Sequence, residues 1–246
     1  MDRHVYERMR SLQQTHWWFA GRRAVLSRLI ADLPLPRRAR LFEAGLGVGG
    51  NVPMLRAFGE LEGLEPDGPS RDYVLAEYGL AAADGRLPDA LPFPPGRFDA
   101  VFALDVVEHV EDDAGAVAAL GALVAPGGFL VVTVPAYQWM WSAHDVSHHH
   151  QRRYTRAELE ALMARAGLTC VKASYFNTLL FPLAAAVRFL KRLLKVDSAD
   201  DALPPAPVNR LMTWLFAAEA GWLRHGALPF GLSVVGIARR EAAAAG

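Results

Sequence analysis

The segment Leu41–Gly49, with the sequence LFEAGLGVG, constrains the fold more than any other part of this chain. A short apolar run that contains Glu43 is followed by glycines at every second position, Gly45, Gly47 and Gly49. A strand, a glycine-rich turn and a helix in this order let an open α/β sheet bring its backbone close to a nucleotide-like cofactor. The spacing G-x-G-x-G differs from the dinucleotide pattern G-x-G-x-x-G, so the segment predicts an α/β fold with a cofactor other than NAD.

The rest of the chain alternates short apolar segments with helical ones, which is typical of a doubly wound parallel sheet. We predict an α/β fold with a doubly wound seven-stranded sheet, in which residues 1–36 form an N-terminal helical cap and residues 37–246 form the cofactor-binding domain. A helical insertion over about 178–226 separates the last two strands. The predicted strands are Leu41–Ala44, Leu61–Leu64, Leu80–Ala83, Phe98–Leu104, Phe129–Val134, Leu168–Tyr175 and Leu232–Ala238.

Composition excludes some classes of partner. The 246 residues include 26 lysines and arginines, 26 aspartates and glutamates, and one cysteine, Cys170. A neutral chain without a basic stripe has no electrostatic attraction for nucleic acid, so no nucleic-acid partner is expected. A single cysteine excludes an internal disulfide, and the N-terminal MDRHVYERMR has no apolar signal region. We therefore expect a cytoplasmic protein.

Acidic residues stand at the ends of three further predicted strands. Glu65 follows the second strand, Asp84 with Gly85 follows the third, and Asp105 follows the fourth. The carboxyl ends of parallel strands meet at one edge of the sheet, where ligands of this architecture bind. A carboxylate after the second strand suits a ribose diol, and one after the third suits an adenine amino group. Together with the glycine turn, this set fits S-adenosylmethionine, which joins an adenosine to a sulfonium and an amino acid.

Five segments resemble, in order and spacing, the motifs of class I S-adenosylmethionine-dependent methyltransferases: LFEAGLGVGG, GLEPD, AAADGRLPDALPF, FDAVFALDVVEHV and LVAPGGFLVVTVPA. The resemblance covers roughly residues 40–135 and is closest to small-molecule enzymes such as the ubiquinone-biosynthesis O-methyltransferases. It implies a Rossmann-like fold, S-adenosyl-L-methionine as cofactor and S-adenosyl-L-homocysteine as product. In this resemblance Glu65 contacts the ribose, Asp84 the adenine and Asp105 the methionine moiety. The whole implied cofactor site is Glu43, Gly45, Gly47, Gly49, Glu65, Asp84, Gly85 and Asp105.

Histidines follow the fourth and fifth predicted strands, so they too belong to the ligand-binding edge of the sheet. His109 is the first candidate for a general base, because histidine titrates near neutral pH, and His144 and His150 are the second. The histidine-rich segment, Ala136–Arg153, is predicted to be a long polar and aromatic loop. It has three interpretations: a substrate pocket wall, a metal site, or a loop folded for structural reasons. No second cluster has metal-ligand spacing, so no metal is predicted. The predicted substrate-binding residues are Trp17, Tyr137, Trp141, Arg153 and Tyr154.

The expected activity is transfer of a methyl group, by in-line displacement, to a small-molecule acceptor that is aromatic, apolar or lipid-linked. A hydroxyl oxygen is expected as the acceptor atom from the family resemblance, while nitrogen and carbon stay open. Two other functions stay open as well: a non-catalytic module or scaffold that binds S-adenosylmethionine, and a protein methyltransferase.

The insertion contains a basic amphipathic helix, FPLAAAVRFLKRLLK, with cations at Arg188, Lys191, Arg192 and Lys195. Such a helix can lie on a membrane surface with its cations toward the headgroups. It can equally form a lid over an apolar substrate, a dimer contact or part of the core. The expected partners are therefore a small-molecule substrate and, as an open alternative, a membrane surface, for a monomer or homodimer.

Overall fold

The protein is built on a six-stranded sheet, seen in a computed structural model that describes residues 10–89, 91–194 and 203–242. The strands are β1 (Ala39–Ala44), β2 (Gly59–Leu64), β3 (Phe98–Leu104), β4 (Val124–Pro135), β5 (Thr169–Phe176) and β6 (Ser233–Arg239). They lie in the order β2-β1-β3-β4-β6-β5. The first four strands are parallel, and β6 runs antiparallel to β4 and β5. The order reverses its direction between β1 and β3, so a ligand site is expected beyond their carboxyl ends.

Helices cover the sheet, and the local sequence accounts for several of their ends. Asp67 accepts a hydrogen bond from the Ser70 N–H at 2.9 Å, and Gly79, at φ +61°, ends the same helix in the left-handed conformation. Thr155 and Glu158 form a capping box at another helix start. The helices are α1 (Trp17–Ala31), α2 (Val52–Arg56), α3 (Gly68–Tyr78), α4 (Asp113–Leu123), α5 (Ala143–Ser147), α6 (Arg156–Arg165), α7 (Phe181–Leu194) and α8 (Ala206–His225), with 3₁₀ turns at Val107–His109 and Gln138–Met140.

The predicted strand Leu80–Ala83 is reduced to one paired residue. Ala83 forms a single parallel bridge with Leu64, at the β2 edge of the sheet. Its N–H donates to the Gly63 carbonyl at 2.8 Å, and its own carbonyl accepts from the Glu65 N–H at 3.0 Å. The rest of this short, alanine-rich segment buries too little apolar surface to extend the ladder. The described sheet therefore has six strands, and the prediction of seven is not confirmed.

The two faces of the sheet carry separate hydrophobic cores because side chains alternate along each strand. Phe42 packs in the core under α4 and α6, whereas its neighbour Leu41 packs in the core under α1, α2, α3 and α8. Helices thus lie on both faces of a mostly parallel sheet. This arrangement confirms the predicted doubly wound α/β fold.

The insertion lies between the last two strands of the chain, as predicted, and consists of α7 and α8. Helix α8 packs closely against α1, since an added Cβ at Gly21 would lie 2.5 Å from the Phe216 ring. Asn209 of α8 also accepts a hydrogen bond from the Trp17 N–H at 2.8 Å. The N-terminal helix is therefore held by the insertion, and its treatment as a separate cap over residues 1–36 stays a prediction.

Among the described helices, none combines the length and the hydropathy that crossing a membrane requires.

Candidate active site

A cavity of about 1430 Å³ lies beyond the carboxyl ends of β1 and β3. Its lining comes from α1, the glycine turn after β1, the histidine-rich segment after β4 and both helices of the insertion. The predicted site residues that line it are Trp17, Gly45, Gly47, Glu65, Gly85, Asp105, His109, His144, His150 and Arg153. The predicted residues that do not appear in its described lining are Glu43, Gly49, Asp84, Tyr137, Trp141 and Tyr154.

The glycine turn leaves open space beside one of its three glycines. An added Cβ at Gly45 would lie 2.7 Å from Val106 Cγ2, and one at Gly49 would lie 2.6 Å from the Tyr78 ring. The absence of a side chain at these two glycines therefore lets Val106 and Tyr78 pack against the turn. At Gly47, with φ +54°, an added Cβ would meet no described atom within 4 Å, and this glycine lines the cavity. The Gly47 backbone therefore borders open space in the cavity, which a side chain at this position would fill. This space lets a cofactor approach the backbone, so the turn fits the expected S-adenosylmethionine.

Of the two acids predicted for the adenosine, Glu65 lies at the cavity and Asp84 does not. Glu65 is buried, and its Oε2 accepts a hydrogen bond from the Gly47 N–H at 2.7 Å. Burial raises the pKa of Glu65 above the ordinary value, although backbone hydrogen bonds from Asp67 and Gly47 act against this. The Asp84 side chain is 73% exposed and pairs with Arg71 at 3.0 Å. In this structure the group predicted for adenine thus points to solvent.

A chain of polar side chains joins α1 to the sheet beside the cavity. Arg22 donates to Asp105 Oδ2, and its Nη2 lies 3.3 Å from Asn51 Oδ1. The Asn51 amide in turn donates to Glu43 Oε1 at 2.7 Å, and Thr133 Oγ1 donates to Asp105 Oδ1 at 3.2 Å. Asp105 itself has the left-handed φ of +59°. The network fixes the Asp105 carboxylate and the Arg22 guanidinium at the end of the cavity predicted for the methionine moiety.

Burial sets the charges of this network. It lowers the pKa of Arg22 to about 10, partly offset by Glu43, and it raises the pKa of Glu43 to about 7. One Glu43 oxygen, Oε2, has no hydrogen-bonding partner among the described residues. Arg22 and Asp105 therefore form the ion pair, while Glu43 holds a proton up to about neutral pH.

Asp145 holds in place two of the predicted functional side chains that line the cavity. Arg153 donates to it twice, from Nε at 2.7 Å and from Nη2 at 2.9 Å, and His150 Nδ1 lies 2.8 Å from its Oδ1. Burial tends to raise the pKa of Asp145, but the hydrogen bonds from His150 and Arg153 outweigh it and hold the pKa below the ordinary value. Because an ionised carboxylate only accepts, His150 carries its proton on Nδ1, and Nε2 is left as an acceptor.

His109 lies beside His150, with ring centroids 4.7 Å apart in an edge-on contact. Burial lowers the pKa of His109 to about 3, and the nearby His150 adds to the shift. Such a ring is neutral at physiological pH and is a weak base. Burial lowers the pKa of His150 as well, although the hydrogen bond to Asp145 and the charge of that carboxylate act against the shift. The sequence therefore predicts histidines at the cavity, while the contact with Asp145 favours His150 over His109 as a proton acceptor.

The neighbouring Glu108 is fully buried, and neither carboxylate oxygen has a hydrogen-bonding partner in the described part of the chain. Burial raises the pKa of Glu108 to about 8. One ligand atom from each of Glu108, His109 and His150 lies within 4.8 Å of the other two, so these three residues are suited to a metal ion. The expectation that no metal is needed stays a prediction.

Two predicted substrate residues have structural partners away from the cavity. Tyr154 is buried, and its hydroxyl donates to Asp113 Oδ2 at 2.9 Å. Tyr137 stacks on Tyr175 with centroids 5.0 Å apart. By contrast Trp17 lies in the lining and also packs against Phe216 of α8, with centroids 6.2 Å apart.

Three polar residues of the site are missing from the predicted set: Arg22, Glu108 and Asp145. The sequence carries a signal for Asp145, because Ser142 three residues earlier forms a capping box with it, but that signal predicts a helix start. Its pairing with Arg153, eight residues later, depends on how the segment folds back. For Arg22 and Arg23, only the packing of α1 decides which guanidinium faces the cavity network.

The comparisons with known proteins agree with this geometry. A family model described as a methyltransferase domain matches residues 18–173. A ubiquinone biosynthesis O-methyltransferase of Methylobacterium nodulans is 28% identical over 210 residues, which cover 70% of this chain and 84% of the relative. A probable S-adenosylmethionine-dependent methyltransferase of Mycolicibacterium smegmatis is 28% identical over 160 residues, 63% of this chain and 61% of the relative. Two other ubiquinone biosynthesis O-methyltransferases are matched over 38% of their own length.

Solved structures show the same fold at low identity. A chain from the complex between the Haloferax volcanii Trm112 methyltransferase activator and a candidate methyltransferase aligns with a TM-score of 0.63 and 18% identity. The alignment covers 96% of this chain and 94% of that chain. At this identity the likeness concerns the fold.

Proposed function

The chain belongs to the methyltransferase domain family and is an S-adenosylmethionine-dependent methyltransferase, and we propose that it methylates a hydroxyl oxygen of an apolar small molecule. One observation carries the choice of oxygen: His150, which is paired with the buried Asp145, lines the same cavity as Gly47 and Asp105. A hydroxyl acceptor must lose a proton, and this pair supplies a base beside the space for the acceptor.

The cofactor side of the proposed site consists of Gly47, Glu65, Asp105 and Arg22. When bound, S-adenosylmethionine supplies a methyl group activated by the sulfonium. The protein then has to position the reactants and exclude water. The Gly47 backbone and the Glu65 carboxylate would hold the adenosine, and the Arg22–Asp105 pair would hold the amino acid end. Asp84 stays the sequence prediction for adenine, and to act there it would have to leave Arg71.

The acceptor side of the proposed site depends on His150. Asp145 accepts from Nδ1 and fixes the ring, so Nε2 would take the proton of the hydroxyl acceptor while that oxygen displaces the sulfur of S-adenosyl-L-homocysteine from the methyl group. Arg153 keeps Asp145 ionised by its two hydrogen bonds. His109 packs against the His150 ring and His144 lines the same side, so both support the base in this proposal.

The part of the cavity lining that comes from the insertion favours an apolar acceptor. The insertion contributes Leu180, Leu183, Ala184 and Val187 from the α7 region and Met212 from α8. Apolar lining with a few convergent polar groups is typical of small-molecule pockets. The names of the O-methyltransferase relatives support oxygen, while a scaffold without methyl transfer would leave the His150 pair without a role.

The proposal is tested with a labelled-methyl assay against a panel of phenols and apolar alcohols. We expect wild-type protein to methylate at least one of them, and His150→Gln to lower kcat by about 10²–10⁴-fold. Calorimetric affinity for S-adenosylmethionine should stay unchanged in this variant. His149→Asn is the matched control, because His149 is exposed, one residue away, and has a φ of +57° that asparagine tolerates. A His150 variant with wild-type turnover would refute the assignment of the base.

A further inference from the structure

Glu108 has a buried carboxyl group that the proposed reaction does not use. The residue belongs to the 3₁₀ turn that follows β3, lines the cavity and retains none of its accessible surface. Neither of its carboxylate oxygens has a hydrogen-bonding partner among the described residues. Burying a polar group without a partner costs free energy, so this carboxyl group indicates that a cation or a donor binds beside it.

Two arginines act on the charge of Glu108, and both are paired with other carboxylates. Arg22 and Arg153 are the cations that favour its ionised form. Arg22 donates to Asp105, however, and Arg153 donates twice to Asp145. The described side chains therefore leave the Glu108 carboxylate without a counter-charge of its own.

Two histidine rings lie beside the Glu108 carboxyl group. One ligand atom from each of Glu108, His109 and His150 lies within 4.8 Å of the other two. The Gln151 N–H donates to the Glu108 carbonyl at 2.7 Å, which ties the histidine-rich segment to the turn after β3 next to these side chains. The fold itself therefore brings the three residues together, and all three line the cavity.

Each of the two histidines is oriented by a hydrogen bond outside this cluster. His150 Nδ1 lies 2.8 Å from Asp145 Oδ1, which leaves Nε2 as an acceptor. The His109 ring is hydrogen-bonded to the backbone of His148. Histidines that bind a metal ion usually have such an outer partner, a carboxylate or a backbone carbonyl, which fixes the ring. Both rings are therefore held in the way that metal ligands are held.

We propose that Glu108, His109 and His150 form a binding site for Zn²⁺, and that the bound ion removes His150 from its role as base. Two imidazole nitrogens and a carboxylate oxygen are a ligand set that zinc binds while a further position stays open. Mg²⁺ and Ca²⁺ prefer oxygen ligands, so two nitrogens favour zinc over these ions. Zinc bonds of about 2.0–2.2 Å place ligand atoms roughly 3–3.5 Å apart. The Glu108 carboxylate, which no other described residue holds, can move to close the remaining distance.

Zinc binding and proton transfer need the same lone pair of His150. In the proposed function Nε2 takes the proton of the acceptor, and a zinc ion bound to Nε2 would block that step. Zinc therefore inhibits methyl transfer, and this part of the inference rests on the proposed function. The binding site itself depends only on the three side chains. The reaction then needs no metal ion, in line with the prediction from the sequence.

The first test is calorimetric titration of zinc chloride into the untagged, chelator-treated chain, without cofactor or acceptor. We expect a single ion to bind, and we expect Glu108→Gln and His109→Asn each to weaken its affinity by at least about 100-fold, since even outer partners of metal ligands contribute about 10–100-fold. Glutamine keeps the size of Glu108 and removes its charge. Zinc should also raise the unfolding temperature of wild type but not of Glu108→Gln.

His149→Asn is the matched control for this titration. His149 belongs to the same histidine-rich segment but is exposed, and its φ of +57° is one that asparagine tolerates. We expect this variant to bind zinc as tightly as wild type does. An equal loss in His149→Asn and Glu108→Gln would overturn the site, because the ion would then bind the segment in general. No zinc binding by wild type, or equal affinity in wild type and Glu108→Gln, would overturn it as well.

The second test is the labelled-methyl assay on metal-free and zinc-loaded protein. Zinc should lower the turnover of wild type by at least about tenfold, because the base is lost, and a chelator should restore it. Glu108→Gln should keep its own metal-free rate when zinc is added. A wild-type rate that rises or stays the same with zinc would contradict the inhibition, since the ion would then activate the acceptor or leave the base free.

The two tests separate this inference from the proposed function. Zinc binding is measured without cofactor and acceptor, so a chain that fails to bind zinc can still transfer methyl groups. A chain that binds zinc but methylates no acceptor would refute the proposed function and the inhibition, and it would leave the metal site in place.

Discussion

At the scale of single residues, two buried carboxyl groups of the site receive different numbers of hydrogen bonds and therefore differ in charge. Asp145 is buried but receives hydrogen bonds from Arg153 and His150, which lower its pKa. Glu43 is equally buried and has one side-chain donor, Asn51, and one oxygen without a partner in the described chain. The same physics of burial therefore leaves Asp145 charged and holds the proton on Glu43.

The raised pKa of Glu43 predicts a specific dependence of stability on pH. Its pKa is about 7 in the folded protein and 4.5 in the ordinary reference state, so the folded state binds the extra proton between these values. Stability therefore falls as pH rises from 4.5 to 7, by about 3 kcal/mol for this group. Glu43→Gln keeps an acceptor for Asn51 and removes the titration. Urea unfolding should show this variant gaining stability over wild type as pH rises from about 5 to 8.

Glu62→Gln serves as the control for this measurement. Glu62 pairs with Arg97 at 2.6 Å in a half-exposed ion pair, which contributes little to stability. A constant difference between Glu43→Gln and wild type from pH 5 to 8 would show that Glu43 does not hold a proton in the folded state.

Site residues that directly follow a strand were predictable from the sequence. Site residues that are positioned by partners distant in sequence were not. Gly47 and Glu65 follow strands β1 and β2, and the rule for strand ends places both at the cavity. The same rule fails for Asp84, because the segment before it pairs through one residue and its side chain turns toward Arg71. Asp145 depends on a fold-back that brings Arg153 to it, which spacing alone does not encode.

At the scale of elements, local pattern determines most of the sheet and its helices. The segment from Ala136 to Arg153 shows where the local pattern fails to predict the structure. Its polar and aromatic composition predicts a loop, whereas the structure has a 3₁₀ turn and the short helix α5, Ala143–Ser147. A helix of this length receives its stability from contacts outside itself, so periodicity could not reveal it.

The contact between α1 and α8 makes a prediction about two glycines. An added Cβ at Gly21 would lie 2.5 Å from the Phe216 ring, whereas one at Gly221 would meet no described atom within 4 Å. Gly21→Ala should destabilise the protein by about 1–3 kcal/mol through overpacking. Gly221→Ala, also within a helix, should stabilise it by about 0.5–1 kcal/mol.

Chemical denaturation of the two variants measures both effects. Because α1 carries Arg22, Gly21→Ala should also weaken binding of S-adenosylmethionine, and Gly221→Ala should not. Equal stability changes of the same sign in the two variants would contradict close packing at Gly21.

At the scale of the whole molecule, the cavity is assembled from parts of the chain that are far apart in sequence. Arg22 comes from α1, Gly47 from the turn after β1, Asp105 from the end of β3 and His150 from the segment after β4. The doubly wound sheet brings the last three to one edge, which the alternation of strands predicts. The cavity walls that α1 and the insertion contribute depend on side-chain packing between these two elements, and the sequence pattern does not specify that contact.

The most direct test is calorimetric titration of S-adenosylmethionine into wild type, Gly47→Asn and Gly79→Asn. Both glycines have left-handed φ angles, +54° and +61°, which asparagine tolerates, and neither has a described atom within 4 Å of an added Cβ. Only Gly47 lines the cavity. We predict that wild type and Gly79→Asn bind alike and that Gly47→Asn binds at least about tenfold more weakly, because its side chain occupies the cofactor's approach. Equal affinity in all three proteins, or no binding by wild type, would contradict a cofactor site at the glycine turn.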